Sequence, residues 1–385
     1  MKILTVDVGT GTQDIFLYDS RLDLENGFKL VLPSPTMIVH RRIKQATRRG
    51  QALLLSGVTM GGGPSAWAAE AHAAAGLPLY ATPDAARTFN DDLEMVRRMG
   101  VQVVSEDEAA RLPAQVLRLE LRDFDFALIA ETLQRFGVPL DDLAAAAVAV
   151  FDHGDSPPQV SDRQFRFDYL DRRIRQASRL SAFAFRAADV PPSMTRLQAV
   201  VQSYQADAGA LRSNLPLVVM DTAPAAVLGA TFDPLVARRP RVLIANVGNF
   251  HTLAFRLGPH GIEGVFEHHT GLLDQPALEL LLRRLADGSL THADVFDHHG
   301  HGALVYHPHP LALDEQPDFG VVVTGPRRSL LRGSLLRPYF ATPFGDMMIA
   351  GCFGLLAATA DVLPELGDAI RRSLSGTGSR VAPWD

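Results

Sequence analysis

The stretch 6-VDVGTGTQD-14 places two glycines between two runs of β-favouring residues, 3–6 and 15–18. This pattern predicts a strand–turn–strand hairpin in which Gly9 and Gly11 supply the turn conformations. A dinucleotide fingerprint requires a glycine at the sixth place and a helix immediately after it. Here the sixth place is Asp14 and a strand pattern follows, which excludes a Rossmann loop.

The composition limits the class of protein. A length of 385 residues corresponds to two or three domains of about 150 residues each, and 47% hydrophobic residues are enough for substantial cores. The net charge of −6, without a long basic run, excludes nucleic acid as an expected partner. The single cysteine, Cys352, excludes a disulfide framework and a cysteine-ligated cluster. Without a secretory signal or an apolar run of about 20 residues, we expect a cytoplasmic protein with no membrane segment.

A second glycine hairpin, 245-ANVGNFHT-252, is predicted in the other half of the chain. Two such turns can clamp a polyphosphate from both sides, because each offers backbone N–H groups and glycine lets the main chain approach the ligand. Thr10, Thr12 and Thr252 add hydroxyl groups. Asp7, beside the first turn, is suited to hold a hydrated Mg²⁺. Either hairpin taken alone could also be an ordinary β-turn.

The rest of the chain alternates predicted strands and helices, which indicates an α/β architecture. Residues 156–213 differ because they are polar, Arg-rich and helical, and they could form a substrate lid or a surface for a partner. A histidine-rich loop is predicted from His292 to His309. Its histidines could ligate a transition metal or belong to a surface excursion, and the sequence leaves both interpretations open.

Five segments resemble, in the expected order, the motifs of the sugar kinase, Hsp70 and actin (ASKHA) superfamily of ATPases. They span the chain from residue 3 to about residue 357. The segments are ILTVDVGTGTQDIFLYD as the first phosphate motif, MDTAPAAVLGA as the first connecting helix, VLIANVGNFHTLAF as the second phosphate motif, VVVTGPRRSLL as the adenosine motif and GDMMIAGCFGLLAA as the second connecting helix.

This resemblance implies an α/β fold of two ribonuclease-H-like domains that flank a nucleotide cleft. The first domain is expected at 1–235, with inserts at about 33–125 and 156–213, the second at 240–372, and a flexible tail at 373–385. The implied cofactors are ATP and Mg²⁺, with Asp7 on Mg²⁺ through water. The implied nucleotide-binding residues are Gly9, Thr10, Gly11, Thr12, Gln13, Gly248, Asn249, Thr252, Gly325 and Pro326.

The superfamily also uses two acidic positions, which match Asp152 and Asp221 here. Phosphoryl transfer needs a positioned nucleophile, a metal and a carboxylate that accepts a proton. Asp152 is the first choice for that carboxylate, and His153 and Asp155 are alternatives. Structural roles are equally open, since the segment FDHGD can be a simple turn and Asp221 can cap the following helix.

Two departures from the superfamily pattern affect the expected chemistry. Asn246 stands where an acidic residue is usual and brings no charge for Mg²⁺, and the adenosine motif has Gly325-Pro326 where two glycines are usual. More narrowly, the chain resembles an uncharacterised branch often labelled pyruvate formate-lyase-activating. A radical activating enzyme needs three cysteines for its cluster, so a single cysteine excludes that chemistry for this polypeptide.

Two further features have both a functional and a structural interpretation. The glycines of 60-MGGGPSAWAAE-70 precede a predicted helix, and they could form an anion pocket or only a strand-to-helix loop. His268 and His269 follow a predicted strand near the expected cleft, and they could contact a substrate or be structural.

The predicted function is that of an ATP-dependent phosphotransferase, a kinase for an unidentified small molecule held between the domains. One alternative is an ATPase whose domain closure acts on a protein partner, as in a reactivase or chaperone. Another alternative is a nucleotide binder without turnover.

Overall fold

A computed structural model of the protein describes residues 1–210, 215–307 and 309–376, which form a mixed α/β structure. The strands are β1 (Lys2–Val8), β2 (Thr12–Asp19), β3 (Phe28–Pro33), β4 (Leu53–Gly57), β5 (Leu79–Ala81), β6 (Gln102–Val103), β7 (Leu117–Leu121), β8 (Leu143–Val150), β9 (Ala184–Arg186), β10 (Leu217–Asp221), β11 (Val242–Val247), β12 (His251–Gly258), β13 (Gly261–His269), β14 (Gly302–Val305), β15 (Val321–Thr324) and β16 (Pro338–Phe340).

The α-helices are α1 (Pro35–Arg48), α2 (Pro64–Ala74), α3 (Pro83–Ala86), α4 (Leu93–Arg98), α5 (Glu106–Arg111), α6 (Phe126–Arg135), α7 (Asp162–Gln176), α8 (Thr195–Ala210), α9 (Thr222–Ala230), α10 (Gln275–Asp287), α11 (His292–Phe296), α12 (Ala350–Val362) and α13 (Pro364–Leu374). Short 3-10 helices cover Leu24–Asn26, Leu180–Phe183, Ala187–Asp189, Thr270–Leu272, Arg328–Leu331 and Pro343–Gly345.

Two six-stranded sheets share one pattern of strand order over five strands, β3-β2-β1-β8-β10 and β13-β12-β11-β15-β16, and their sixth strands, β9 and β14, lie at opposite edges. The first runs β3-β2-β1-β8-β10-β9 and the second runs β14-β13-β12-β11-β15-β16. In each sheet an antiparallel hairpin, β1–β2 or β11–β12, lies next to a strand that joins in parallel, β8 or β15. Both predicted glycine hairpins are therefore confirmed as strand–turn–strand units, and they occupy equivalent places in the two sheets.

A third sheet, β6-β5-β4-β7, is wholly parallel and lies in the segment between β3 and β8. Its apolar residues form a separate core with α1 and α2. The apolar spacing predicts one helix over residues 85–99 here, and that prediction is wrong. The chain forms α3 and then α4, because the Asp92 side chain accepts a hydrogen bond from the Glu94 N–H and starts a new helix.

The described part of the polar segment 156–213 contributes β9, α7 and α8 to the first sheet and its core. Its strand β9 pairs with β10, and apolar side chains of α7 and α8 pack in the same core as β1 and β8. Only the charged faces of these helices contact solvent, which explains the polar composition. This integration disfavours a lid that moves independently of the sheet.

The predicted histidine-rich loop, 292–309, is in part regular structure. It contains α11, which begins in a capping box between Thr291 and Asp294, and β14, which pairs with β13. The prediction of a continuous loop is therefore wrong, because β13 offers a sheet edge on which residues 302–305 form a strand. This pairing brings His301, just before β14, beside the end of β13.

The two predicted connecting helices, α9 and α12, pack directly against each other. Glycines make the close approach possible, because a Cβ at Gly229 would overlap the Ala350 carbonyl and a Cβ at Gly354 would overlap the Ala225 carbonyl. The expected tail at 373–385 overlaps the end of α13, and its residues 377–385 lie outside the described residues.

Candidate functional site

A cleft of about 400 Å³ lies between the two glycine turns, within the usual range for small-molecule sites. Its walls come from the β1–β2 and β11–β12 turns and from the segments that follow β4, β8 and β15. The turns approach each other across it, since a Cβ at Gly11 would lie 2.8 Å from the Asn249 amide nitrogen. Chemistry-bearing side chains therefore meet where several strands end.

The first turn brings two carboxylates to the cleft. Asp7 and Asp14 are cross-strand partners in β1 and β2, and each is only 8% exposed. The Thr222 hydroxyl donates a 2.6 Å hydrogen bond to Asp7, whereas Asp14 Oδ1 is buried without a hydrogen-bond partner. Burial raises the pKa of Asp7 to about 7 and that of Asp14 to about 8, and the charge of Asp7 adds to the shift at Asp14.

These two carboxylates suit a hard divalent cation. Like charges directly opposite each other in a hairpin repel, and a buried carboxylate oxygen without a partner is costly. A hydrated Mg²⁺ prefers one or two carboxylates and keeps several waters, so it fits a site made of Asp7 and Asp14 beside an open cleft. Asp14 has no role in the sequence-based site, although its register opposite Asp7 could have identified it.

The structure brings most of the predicted nucleotide-binding residues together. The lining residues of that set are Asp7, Gly9, Thr10, Gly11, Thr12, Gly248, Asn249, Gly325 and Pro326. Gln13 and Thr252 do not line the cleft. The Gln13 amide instead donates to the Pro33 carbonyl, and the wholly buried Thr252 hydroxyl contacts the Thr270 hydroxyl at 2.9 Å.

The predicted catalytic acid Asp152 lines the cleft directly after β8. Its two carboxylate oxygens accept hydrogen bonds from the N–H groups of Gly154 and Leu197, at 2.8 and 2.9 Å. Burial raises the pKa of Asp152, and these two hydrogen bonds oppose the shift. Asp152 thus fixes the turn FDHGD and also presents its carboxyl group to the cleft, so the two sequence-based interpretations are compatible.

Asp221, the other predicted acid, does not line the cleft. One of its oxygens accepts a hydrogen bond from the N–H of Ala223 and caps α9, and the other pairs with the Arg166 guanidinium. Arg166 is wholly buried, donates to Glu267 at 3.1 Å and also donates to the Asp152 carbonyl at 3.0 Å. It therefore joins α7, the β10–α9 junction and β13 under the cleft, a role that the sequence does not reveal.

Histidines from three segments meet at the same end of the cleft. His153 and His251 line it, and His301 and Glu267 lie behind them with no exposed surface. His153 Nε2 is 3.2 Å from His301 Nε2, and His251 Nδ1 is 3.1 Å from Glu267 Oε1, without the alignment of a hydrogen bond. Burial is the first cause that lowers the pKa of His301 to about 3 and the pKa of His153 well below its usual range.

The other histidines singled out by sequence have different surroundings. His268 is buried, and its ring nitrogens contact the carbonyls of His269 and His298 at 3.1 Å each. The His269 ring lies 4.7 Å from the His301 ring, and burial lowers its pKa to about 4. Of the 292–309 segment, only His301 reaches the cluster among the described residues.

The glycines 61–63 line the cleft, but the N–H of Gly61 is already occupied. It donates to both oxygens of Asp123, at 3.1 Å each, and Arg196 pairs with the same carboxylate at 2.6 Å. This anchors the third sheet to the start of α8. An anion at this position would therefore meet the Asp123–Arg196 ion pair, and the Gly61 N–H would not be free to bind it.

A family model described as "Putative pyruvate format-lyase activating enzyme (DUF1786)" matches residues 60–330. This range includes Asp152, the second glycine hairpin and every residue of the histidine cluster. No match was found among curated proteins. In the described part of the chain, no helix is both long and apolar enough to cross a membrane.

Among solved structures, the ethanolamine utilization protein EutJ from Carboxydothermus hydrogenoformans is 10% identical at a TM-score of 0.31, over 92% of this chain and 89% of that chain. A propionate kinase from Francisella tularensis subsp. tularensis SCHU S4 is 7% identical at a TM-score of 0.25, over 69% and 56%. The acetate kinase from Entamoeba histolytica is 7% identical at a TM-score of 0.23, over 68% and 55%. The chain thus spans little more than half of each kinase, and TM-scores this low do not establish a common fold.

Proposed function

The chain belongs to the DUF1786 family, and we propose that it binds Mg-ATP in the cleft and transfers the terminal phosphoryl group to a small molecule. The family description mentions pyruvate formate-lyase activation. These 385 residues contain one cysteine, whose thiol is buried and contacts the Asp14 carbonyl at 3.1 Å, so they cannot supply the three thiolates of a radical cluster.

The strongest support is the meeting of two glycine turns, from two sheets of equivalent strand order, in one cleft with a carboxylate pair. Backbone N–H groups at such turns bind phosphate, and the pair Asp7 and Asp14 suits Mg²⁺. The cleft lining includes two arginines, Arg87 and Arg196, and Arg196 is already paired with Asp123. A metal ion supplies the further positive charge that a triphosphate at the turns requires.

The duplicated strand order also supports two ribonuclease-H-like domains, as in actin-like ATPases. We assign the first domain to residues 1–235 and the second to residues 240–372. The helices α9 and α12 pack against each other through glycines, which suits a junction where two domains hinge around a bound nucleotide.

Each part of the cleft has a role in this proposal. Residues Gly9–Thr12 and Gly248–Asn249 bind the phosphates from opposite sides. Gly325 has a φ of +95° at the end of β15, and Gly325-Pro326 forms the wall for the nucleoside. Mg²⁺ supplies positive charge to the phosphoryl oxygens when it is bound. Because the net charge of the chain is −6, a small molecule rather than nucleic acid is the expected second substrate.

Asp152 is the proposed proton acceptor. It alone of the two predicted acids lines the cleft, and each of its carboxylate oxygens keeps a lone pair beside the hydrogen bond it accepts. Burial raises its pKa above the ordinary value of an aspartate, which makes the carboxylate a stronger base. Asp221 is then a positioning residue, which holds Arg166 and the start of α9.

The first test is binding, measured as the shift of the thermal unfolding temperature with Mg-ATP. We expect an increase with Mg-ATP and little with Mg²⁺ or ATP alone. No shift with Mg-ATP would contradict the nucleotide site.

The second test is turnover, for which Asp152→Asn should reduce phosphoryl transfer roughly 100-fold or more while Mg-ATP stabilisation persists. The exposed control Asp189→Asn should leave both unchanged.

Substrate dependence separates this function from its alternatives. A kinase releases ADP only when its acceptor molecule is present. ADP release without any acceptor, accelerated by a protein partner, would instead identify an ATPase of the reactivase or chaperone type. Mg-ATP stabilisation with no ADP release under either condition would identify a nucleotide binder.

A further inference from the structure

We propose that His153, His251, His301 and Glu267 form a binding site for one divalent first-row transition metal ion at the end of the cleft. One ligand atom from each residue lies within 4.8 Å of all the others. Two nitrogen ligands on a tetrahedral zinc ion are about 3.3 Å apart, since Zn–N bonds are about 2.0 Å long. The Nε2 atoms of His153 and His301 are 3.2 Å apart, a separation that fits a hydrogen bond between the rings and also two ligands of one ion.

The cluster contains buried polar atoms that make no aligned hydrogen bond, although His251 Nδ1 and Glu267 Oε1 face each other at 3.1 Å. Glu267 Oε1, His301 Nδ1 and His251 Nδ1 are all buried without a hydrogen-bond partner. Leaving several such atoms without aligned hydrogen bonds in one place destabilises the folded protein. A metal ion can bind Glu267 Oε1 and His251 Nδ1, and it takes one nitrogen of His301, either Nδ1 or the Nε2 that faces His153.

The charges around the cluster also favour a cation. The other oxygen of Glu267 accepts a hydrogen bond from Arg166, which holds the carboxylate in place and leaves Oε1 towards the histidines. Arg166 is in turn neutralised by Asp221. Such outer partners orient metal ligands in known sites.

The ligand types select the class of metal. Three imidazoles and one carboxylate suit Zn²⁺, Fe²⁺, Co²⁺, Ni²⁺ or Mn²⁺, whereas Mg²⁺ and Ca²⁺ prefer sites made only of oxygen. The spread of up to 4.8 Å means that the most widely separated ligand atoms approach each other by up to about 1.5 Å around the ion. Because His153 and His251 line the cleft, an oxygen atom of a substrate in the cleft can reach the ion.

The proposal is tested with the full-length protein treated with EDTA and then titrated with Co²⁺ or Zn²⁺ in the absence of nucleotide. We expect one equivalent of Co²⁺ to bind and to give a visible absorption band, which Zn²⁺ displaces. His301→Gln should weaken binding at least tenfold. The matched control His298→Gln, exposed in the same segment, should bind like the wild type.

Several outcomes would overturn this site. These are no binding of Co²⁺ or Zn²⁺ by the wild type, and equal binding by His301→Gln and the wild type. If His301→Gln loses its helical circular dichroism, the partly exposed His153→Gln takes its place with the same expectation and the same contradiction. The titration contains no nucleotide, and the loss of binding in His301→Gln distinguishes this site from the carboxylate pair Asp7 and Asp14.

Discussion

The two glycine hairpins share a backbone but carry different chemistry. In each turn the first glycine donates its N–H to the carbonyl three residues later, Gly9 to Thr12 and Gly248 to His251. By this register Asp7 corresponds to Asn246, and their cross-strand partners are Asp14 and Leu253. The first hairpin thus presents two buried carboxylates, and the second presents an amide and an apolar side chain at the same positions.

Two hairpins with the same backbone can therefore carry side chains that suit two different kinds of metal ion. Carboxylates at the first turn suit a hard, hydrated cation such as Mg²⁺. At the second turn, His251 stands at the position that corresponds to Thr12. It lies beside His153, His301 and Glu267, and these four side chains together suit a transition metal. The second hairpin lacks the carboxylates of the first, but through His251 it contributes to a different set of potential metal ligands.

The largest effect is expected from replacing Asp7, the charged residue of the equivalent pair Asp7 and Asn246. Asp7→Ala should abolish the Mg²⁺-dependent stabilisation by ATP, because a carboxylate needed for the metal is lost. Asn246→Ala should retain most of it. Thermal unfolding with and without Mg-ATP measures both variants, and the exposed Asp23→Ala is the control. If Asp7→Ala were stabilised like the wild type, the metal would have to lie elsewhere.

The second hairpin can be made like the first by His251→Thr. We expect this change to weaken Co²⁺ binding at least tenfold, because it removes one imidazole ligand. Mg-ATP stabilisation should change much less. The two ligands are titrated separately on the same preparation. Equal losses of Co²⁺ binding and of Mg-ATP stabilisation would contradict the assignment of a different ligand to each hairpin.

The carboxylate pair predicts a pH dependence for the metal-free protein. The pKa values of about 7 for Asp7 and about 8 for Asp14 lie above their ordinary value of 3.8, so the folded state binds protons more tightly than the unfolded state. The free energy of unfolding should therefore fall as the pH rises from about 4 through about 8. Asp14→Asn should flatten this decline, measured by urea unfolding in EDTA.

The expected control for this experiment is Asp23→Asn, because Asp23 is exposed and has no side-chain cap hydrogen bond. Its unfolding curve should follow the wild type at every pH. A wild-type protein whose stability is flat between about pH 5 and pH 8 would show that burial does not raise the pKa values of these two carboxylates.

The smallest effect is expected at Gln13, which the sequence predicts to bind nucleotide. Its amide donates to the Pro33 carbonyl outside the cleft. Gln13→Ala should change the affinity for Mg-ATP by less than about threefold and stability by about 1 kcal/mol or less. Isothermal titration distinguishes this from Thr12→Ala, a cleft residue, where a larger loss is expected. A loss at Gln13 as large as at Thr12 would place both side chains on the ligand.

Local signals explain which parts of the fold could be predicted from the sequence. The glycine turns between β-favouring residues identified both hairpins, and the order of strands and helices was largely correct. The errors arose where tertiary contacts outweigh the local pattern, as at residues 302–305, which become a strand because β13 offers a partner. The same holds for β9, which joins β10 from within a polar segment.

The sequence by itself determined the two turns, the acid beside the first turn and the absence of the three cysteines that a radical cluster needs. These features depend on residue type and on neighbours a few positions away. Only the tertiary structure brought His153 to His301 across 148 positions of sequence, and Arg166 to both Asp221 and Glu267. Such contacts depend on how the sheets and α7 pack, because no local pattern encodes the distance between residues that lie far apart in the chain.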